Sequence, residues 1–232
     1  MTVTATEKLA PQMLRVRFAS PDLADFESAG ADDHVKLFVP DGEGGMAMRD
    51  YTPRSFDMAG QTLVIDFALH DDGPATRWAL GAKPGDTVQV GGPRGSTIVP
   101  DDFDWYLLIG DETAIPSISR RIEELRAGVP ITALIAIDTL DDRVPLPERD
   151  GLTVRWCPRD DGSADDGERL VAAVDAQHLP PGDGFVWIAA EGSAARVVRA
   201  HIIDDLGHER SWVKASGYWS AGDAGKHDKI GD

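Results

Sequence analysis

A chain of 232 residues, 42% hydrophobic and 27% charged, has room for one large domain or two modest ones, each able to bury a core. Its formal net charge of −17 opposes binding to nucleic acid or anionic membrane surfaces, and no apolar run approaches the roughly 20 residues of a membrane span. The single cysteine, Cys157, excludes an internal disulfide and a cysteine-rich metal site, and with no calcium-loop pattern among the Asp pairs and no further zinc ligands around His70, no metal centre is expected.

The opening residues lack the basic and apolar blocks of a signal peptide, which makes the cytoplasm the expected location. Residues 13–18 then alternate apolar and polar with the period of a half-buried strand, and 34–39 do the same before the turn Pro40-Asp41-Gly42. Strands are also predicted over 62–70 and 86–90. Short strands at this spacing suggest a closed or nearly closed antiparallel barrel.

The pattern changes near residue 100. Residues 105–109 form a continuous apolar run ending at Gly110, as in a strand buried on both faces. A helix is predicted over 116–126, with Ile118, Ile122 and Leu125 on one stripe. Strands follow at 131–137, 152–157 and 185–190, with helices at 167–175 and 194–206. The expected fold is therefore β + α/β: an antiparallel barrel over 1–102, then an α/β domain with a parallel sheet over 103–232.

Three clusters carry candidate chemistry. In Met48-Arg49-Asp50-Tyr51-Thr52-Pro53-Arg54, Arg49 and Tyr51 share one face of a strand. Arg offers a planar fork suited to a pyrophosphate, Tyr a flat ring able to lie against an isoalloxazine, and Thr52 a short hydroxyl able to hydrogen-bond the N5 of such a ring. In Asp66-Phe67-Ala68-Leu69-His70-Asp71-Asp72-Gly73-Pro74-Ala75-Thr76-Arg77-Trp78, a strand ends and a turn opens a short helix. The free N–H groups at that helix start suit a phosphate. In Gly91-Gly92-Pro93-Arg94-Gly95-Ser96, the glycines let backbone approach a ligand closely.

Taken in this order, and continued by Gly110-Asp111-Glu112-Thr113-Ala114-Ile115-Pro116, these motifs resemble the siderophore-interacting protein family of FAD-dependent ferric-siderophore reductases. The resemblance covers nearly the full chain. It implies that Arg49, Tyr51, Thr52, Asp66, His70 and the turn Gly73, Pro74, Ala75, Thr76 contact FAD, with Gly95 and Ser96 lining the same pocket. It further implies NADH or NADPH as co-substrate and a ferric siderophore as acceptor. The flavin carries the chemistry, so no side chain is assigned as acid, base or nucleophile. A ferredoxin-type protein is a further candidate electron donor. The alternatives are a same-fold reductase with another acceptor, or a non-catalytic FAD- or siderophore-binding module.

Asp111, Glu112, Thr113 and Ala114 follow the first strand of the α/β domain, where dinucleotides dock, and Glu191 ends a later strand on the same edge. Thr113 is expected to cap the helix, and the acids suit a ribose or the nicotinamide amide better than a pyrophosphate. Tyr218 and Trp219 also match the family, but Ser220-Ala221-Gly222-Asp223 replaces its basic continuation. Since a 2′-phosphate prefers Arg or Lys, that departure weakens NADPH relative to NADH. Arg54, Arg120 and Lys214 are the candidate attractors of an acidic siderophore.

Overall fold

The computed structural model describes residues 1–69, 73–159, 165–222 and 228–230. It divides into two compact units: Met1–Val99 with Ser119–Arg121, and the remainder from Pro100.

The first unit is built from β1 (Thr2–Ala10), β2 (Met13–Ala19), β3 (Val35–Pro40), β4 (Met46–Tyr51), β5 (Pro53–Asp57), β6 (Thr62–Ala68), helix α1 (Pro74–Gly81) and β7 (Gln89–Gly91). The strands form two antiparallel sheets, ordered β1-β2-β6-β5 and β4-β3-β7. Alternation in β2 puts Val16 and Phe18 inside, where they meet Leu37 of β3 and Ile65 and Phe67 of β6 in one core. Residue Thr52, between β4 and β5, lies where the chain leaves one sheet for the other. The periodicity read above finds β2, β3 and β6 within a residue or two. It passes over β1, whose burial is irregular and whose pairing with β2 shifts register twice.

The second unit holds β8 (Trp105–Gly110), α2 (Ile115–Glu124, apart from Ser119–Arg121, which group with the first unit), β9 (Ile131–Ile137), β10 (Leu152–Pro158), α3 (Asp166–Asp175), β11 (Gly184–Glu191), α4 (Gly192–Ala200), β12 (Val213–Trp219) and β13 (Asp228–Lys229). The sheet order is β10-β9-β8-β11-β12-β13; every neighbouring pair is parallel except the last. Numbered from β8, the five parallel strands run 3-2-1-4-5. This is the doubly wound order, whose switch point lies between the first and fourth strands. All six residues of β8 are buried, as its unbroken apolar run requires. At its end Gly110 is obligatory, because an added Cβ would lie 2.5 Å from Ala114 Cβ and 2.5 Å from the Ala189 carbonyl. Among the described residues, no helix is long and apolar enough to cross a membrane.

Spacing predicts one helix over 194–206, but α4 stops at Ala200 and widens into a π-type turn, His201–Asp205. There the His201 ring bridges Asp205 (Nδ1, 2.9 Å) and Asp175 at the end of α3 (Nε2, 2.8 Å). Partial desolvation works against the imidazolium, yet both carboxylates outweigh it and raise its pKa. A raised folded pKa gives stability that is fully present below the unfolded value near 6.5 and fades as pH rises through the folded one. His201→Gln should therefore cost under about 1 kcal/mol in urea denaturation at pH 5.5, and less at pH 9. An equal cost at both pH values would refute this account.

Candidate functional site

In the first unit, β4 presents Arg49 and Tyr51 on the face it shares with Leu37 and Val35, their partners across β3. Tyr51 lies 4.4 Å from the Phe67 ring, Phe67 lies 5.9 Å from Trp78 of α1, and Trp78 stacks at 6.2 Å on Phe18. This aromatic row holds the Tyr51 ring in place, and burial pushes its hydroxyl well above the usual tyrosine range. Arg49 is half-buried, with Nη1 donating to the Met48 carbonyl at 3.0 Å. Thr52 is buried beside them in sequence.

Helix α1 begins at Pro74 after Gly73, and no side chain among the described residues caps it. Its first N–H groups, on Ala75 and Thr76, lie in the opening turn of that helix. Ala75, Tyr51 and Trp78 belong to the same core, so this helix start and the Tyr51 ring are parts of one structure. His70 lies outside the described residues.

Asp66 is placed differently. It is buried and accepts a two-pronged ion pair from its cross-strand partner Arg15 (Nε–Oδ1 2.7 Å, Nη2–Oδ2 2.7 Å). Ser96 donates to Asp33 Oδ2 at 2.6 Å and accepts from Ala29 N–H at 3.1 Å, pinning the loop that carries the exposed Gly95. Arg54 is half-buried on β5. Arg120 is 4% exposed, and its guanidinium donates to the Ser28 hydroxyl, the Ser28 carbonyl and the Pro53 carbonyl.

In the second unit the carboxyl ends of the strands gather the predicted residues. Asp111 is fully buried and accepts four hydrogen bonds: Thr113 N–H (2.9 Å), Thr113 Oγ1 (2.5 Å), Glu191 N–H (2.8 Å) and Trp219 Nε1 (2.9 Å). One carboxylate thus ties together the ends of β8, β11 and β12. Glu191 caps α4, accepting from Ser193 N–H, Ser193 Oγ and Ala194 N–H. Burial opposes its charge, but these donors outweigh that and lower its pKa. The Tyr218 and Ser117 hydroxyls are hydrogen-bonded at 3.0 Å, and Ala114 is buried beneath Gly110. Lys214 stands at the other end of β12, five residues from Trp219 and so roughly 16 Å from this edge.

Glu112 is paired two-pronged with Arg159 (2.9 and 3.2 Å). Burial first, and the neighbouring Asp111 charge second, push its pKa up to about 7 against the pull of Arg159. Arg159, directly after β10, also binds Asp138, directly after β9 (2.8 Å), and Asp166 of α3 (2.6 Å). Sequence reading passed over Asp138, Arg159 and Ser117. The signal for Asp138 was there, an acid closing the second strand of a doubly wound sheet. Arg159 sits in no motif, and Ser117 meets Tyr218 only through the fold.

Two family models match this chain: the siderophore-interacting FAD-binding domain over residues 2–47 and 40–97, and the siderophore-interacting protein model over residues 103–222. An NADPH-dependent ferric-chelate reductase of Escherichia coli is 31% identical over 95% of this chain and 92% of its own length. The crystal structure of a siderophore utilization protein from T. fusca superposes with a TM-score of 0.89 at 33% identity, covering 99% of this chain and 95% of that one. The siderophore-interacting protein of Aeromonas hydrophila gives a TM-score of 0.81 at 30% identity, over 96% of this chain and 91% of that one. On the matched models, the identity along almost the whole length and the shared fold, the chain belongs to the siderophore-interacting protein family.

Proposed function

We propose that this protein is an FAD-dependent oxidoreductase that takes hydride from NAD(P)H and reduces Fe(III) in a siderophore, releasing iron as Fe(II). The observation that carries it is the first unit's set of groups: an arginine and a ring-braced tyrosine on one strand face, a buried threonine, and the start of helix α1 in the same core as that tyrosine. The donor chemistry fits FAD, since a guanidinium and helix N–H groups suit its pyrophosphate and a flat ring suits its isoalloxazine. When bound, FAD supplies the conversion between a two-electron hydride donor and a one-electron ferric acceptor.

The chain's own work is binding and orientation. Arg49 and the start of α1 balance the pyrophosphate charge, Tyr51 braces the ring, and Thr52 offers a hydroxyl at the ring edge. The position of Asp66 suits a structural task, that of fixing Arg15. Asp111 and Glu191 shape the dinucleotide edge through backbone and indole N–H groups. Arg54 is half-exposed in the same unit as the flavin groups whereas Arg120 is buried, which supports Arg54 as the cation that draws an anionic siderophore to an acidic protein. A buried, free Cys157 suits the reducing cytoplasm, where NAD(P)H is also maintained.

Anaerobic mixing of FAD-loaded protein with NADH or NADPH should bleach the flavin absorbance. Adding a ferric siderophore with a ferrous-iron trap should then form the coloured ferrous complex faster than FAD alone does. Bleaching without ferrous complex over a panel of siderophores would point to another acceptor. Protein that retains no FAD would defeat the reading altogether. A ferredoxin-type donor is tested in the same cell by substituting reduced ferredoxin for the nicotinamide.

A further inference from the structure

Arg159 is the basic side chain best placed to meet the adenosine end of a dinucleotide in this sheet. The doubly wound order 3-2-1-4-5 puts a dinucleotide outside the carboxyl ends of the strands at the switch point, with the adenosine ribose toward the second strand. At that position an acidic side chain accepts from the 2′-OH of NAD, or a nearby arginine takes the 2′-phosphate of NADP. Here both residue types are present, Asp138 closing β9 and Arg159 closing β10.

The hydrogen bonds decide between them. A guanidinium has five N–H donors, and on Arg159 carboxylates take them all. Nε donates to Asp166, Nη1 to Asp138 and Glu112, and Nη2 to Glu112 and Asp166. Arg169, which also faces Asp166, is itself engaged: Nη1 donates to the Pro158 carbonyl and Nε lies 3.9 Å from Asp166. A phosphate monoester could win Arg159 only by displacing a carboxylate that is already bonded, and would then face the displaced charge. A ribose diol needs neither step, because its hydroxyls can donate to Asp138, whose carboxylate is 52% exposed.

Resting on the nicotinamide reading above, we infer that the Glu112–Arg159–Asp138–Asp166 cluster makes this protein select NADH over NADPH, with Asp138 as the group that receives the adenosine ribose. The selection works by two elements at once, an acceptor offered to the diol and a like charge set against the phosphate.

Calorimetric titration of FAD-loaded protein with the unreactive NAD+ and NADP+ tests this without turnover. Wild type should bind NAD+ at least about fivefold more tightly, and Asp138→Asn should shift the ratio toward NADP+ by roughly tenfold, losing NAD+ affinity while gaining NADP+ affinity. Asp138→Ala should shift it in the same direction. Because the side chain is half-exposed, both variants should keep the wild-type melting temperature, which separates a lost contact from a lost fold. Equal or tighter binding of NADP+ by wild type, or an unchanged ratio in both variants, overturns the inference. If neither nucleotide binds wild type at millimolar concentration, the nicotinamide reading itself fails.

Discussion

Asp111→Asn should melt well below wild type, losing about 2–4 kcal/mol, and should lose dinucleotide affinity more sharply than FAD affinity. The carboxylate is fully buried and accepts from four donors. An amide of the same shape keeps one acceptor oxygen but turns its NH2 toward two of those donors. Each buried donor left unpaired costs about 1–3 kcal/mol, and loss of a helix cap costs about 1 kcal/mol. Against a typical total of about 5–15 kcal/mol this is a large share. The partners set the functional effect: Glu191 N–H and Trp219 Nε1 belong to β11 and β12, so the dinucleotide edge loosens at three strands together. Thermal denaturation with parallel titrations of NAD+ and FAD measures both. A variant that melts with wild type would show that the four bonds contribute no net stability. One that loses FAD and nucleotide affinity equally would show global damage rather than a local hub.

That hub also marks how far sequence reading reaches. Periodicity and turn residues are local, so the unbroken apolar run of β8, the alternation of β2 and the stripe of α2 were legible without a structure. β12 was not, because Val213-Lys214-Ala215-Ser216-Gly217-Tyr218-Trp219 mixes small and polar residues in a strand whose burial comes from its neighbours. The first-unit cluster was legible as a set, since Arg49, Tyr51 and Thr52 are adjacent in sequence. What the acids do was not. Asp111 reads as a loop acid beside a ligand, but its carboxylate goes to Trp219, 108 residues away. Glu191 likewise spends its charge on the start of α4, and Glu112 on Arg159, 47 residues on. A carboxylate's partner is a property of the packed sheet edge, and no spacing along the chain encodes it.

Asp66 poses the same question in the first unit, and a double-mutant cycle with Arg15 answers it. Asp66 is 3% exposed at its side chain and Arg15 22%, with two charge-assisted bonds of 2.7 Å between them. Removing one member leaves the other in partly desolvated surroundings, so Asp66→Leu should cost about 3–5 kcal/mol, somewhat less where water reaches Arg15. Adding Arg15→Met removes the cation that has lost this carboxylate and rebuilds an apolar cross-strand pair between β2 and β6. Replacing a buried pair by packed hydrophobic residues is often neutral or stabilising, so the double variant should recover most of the loss in urea denaturation. The discriminating measurement is FAD affinity in that double variant. If Asp66 serves the fold through Arg15, the stable double variant binds FAD within about threefold of wild type, since a difference under 1 kcal/mol is the ordinary reach of a distant substitution. If its carboxylate accepts a hydrogen bond from the flavin, stability returns but affinity does not, because a charge-assisted bond of about 1.5–3 kcal/mol is gone. Recovery of both would assign Asp66 to the sheet and leave Arg49, Tyr51, Thr52 and the start of α1 as the groups that hold the cofactor.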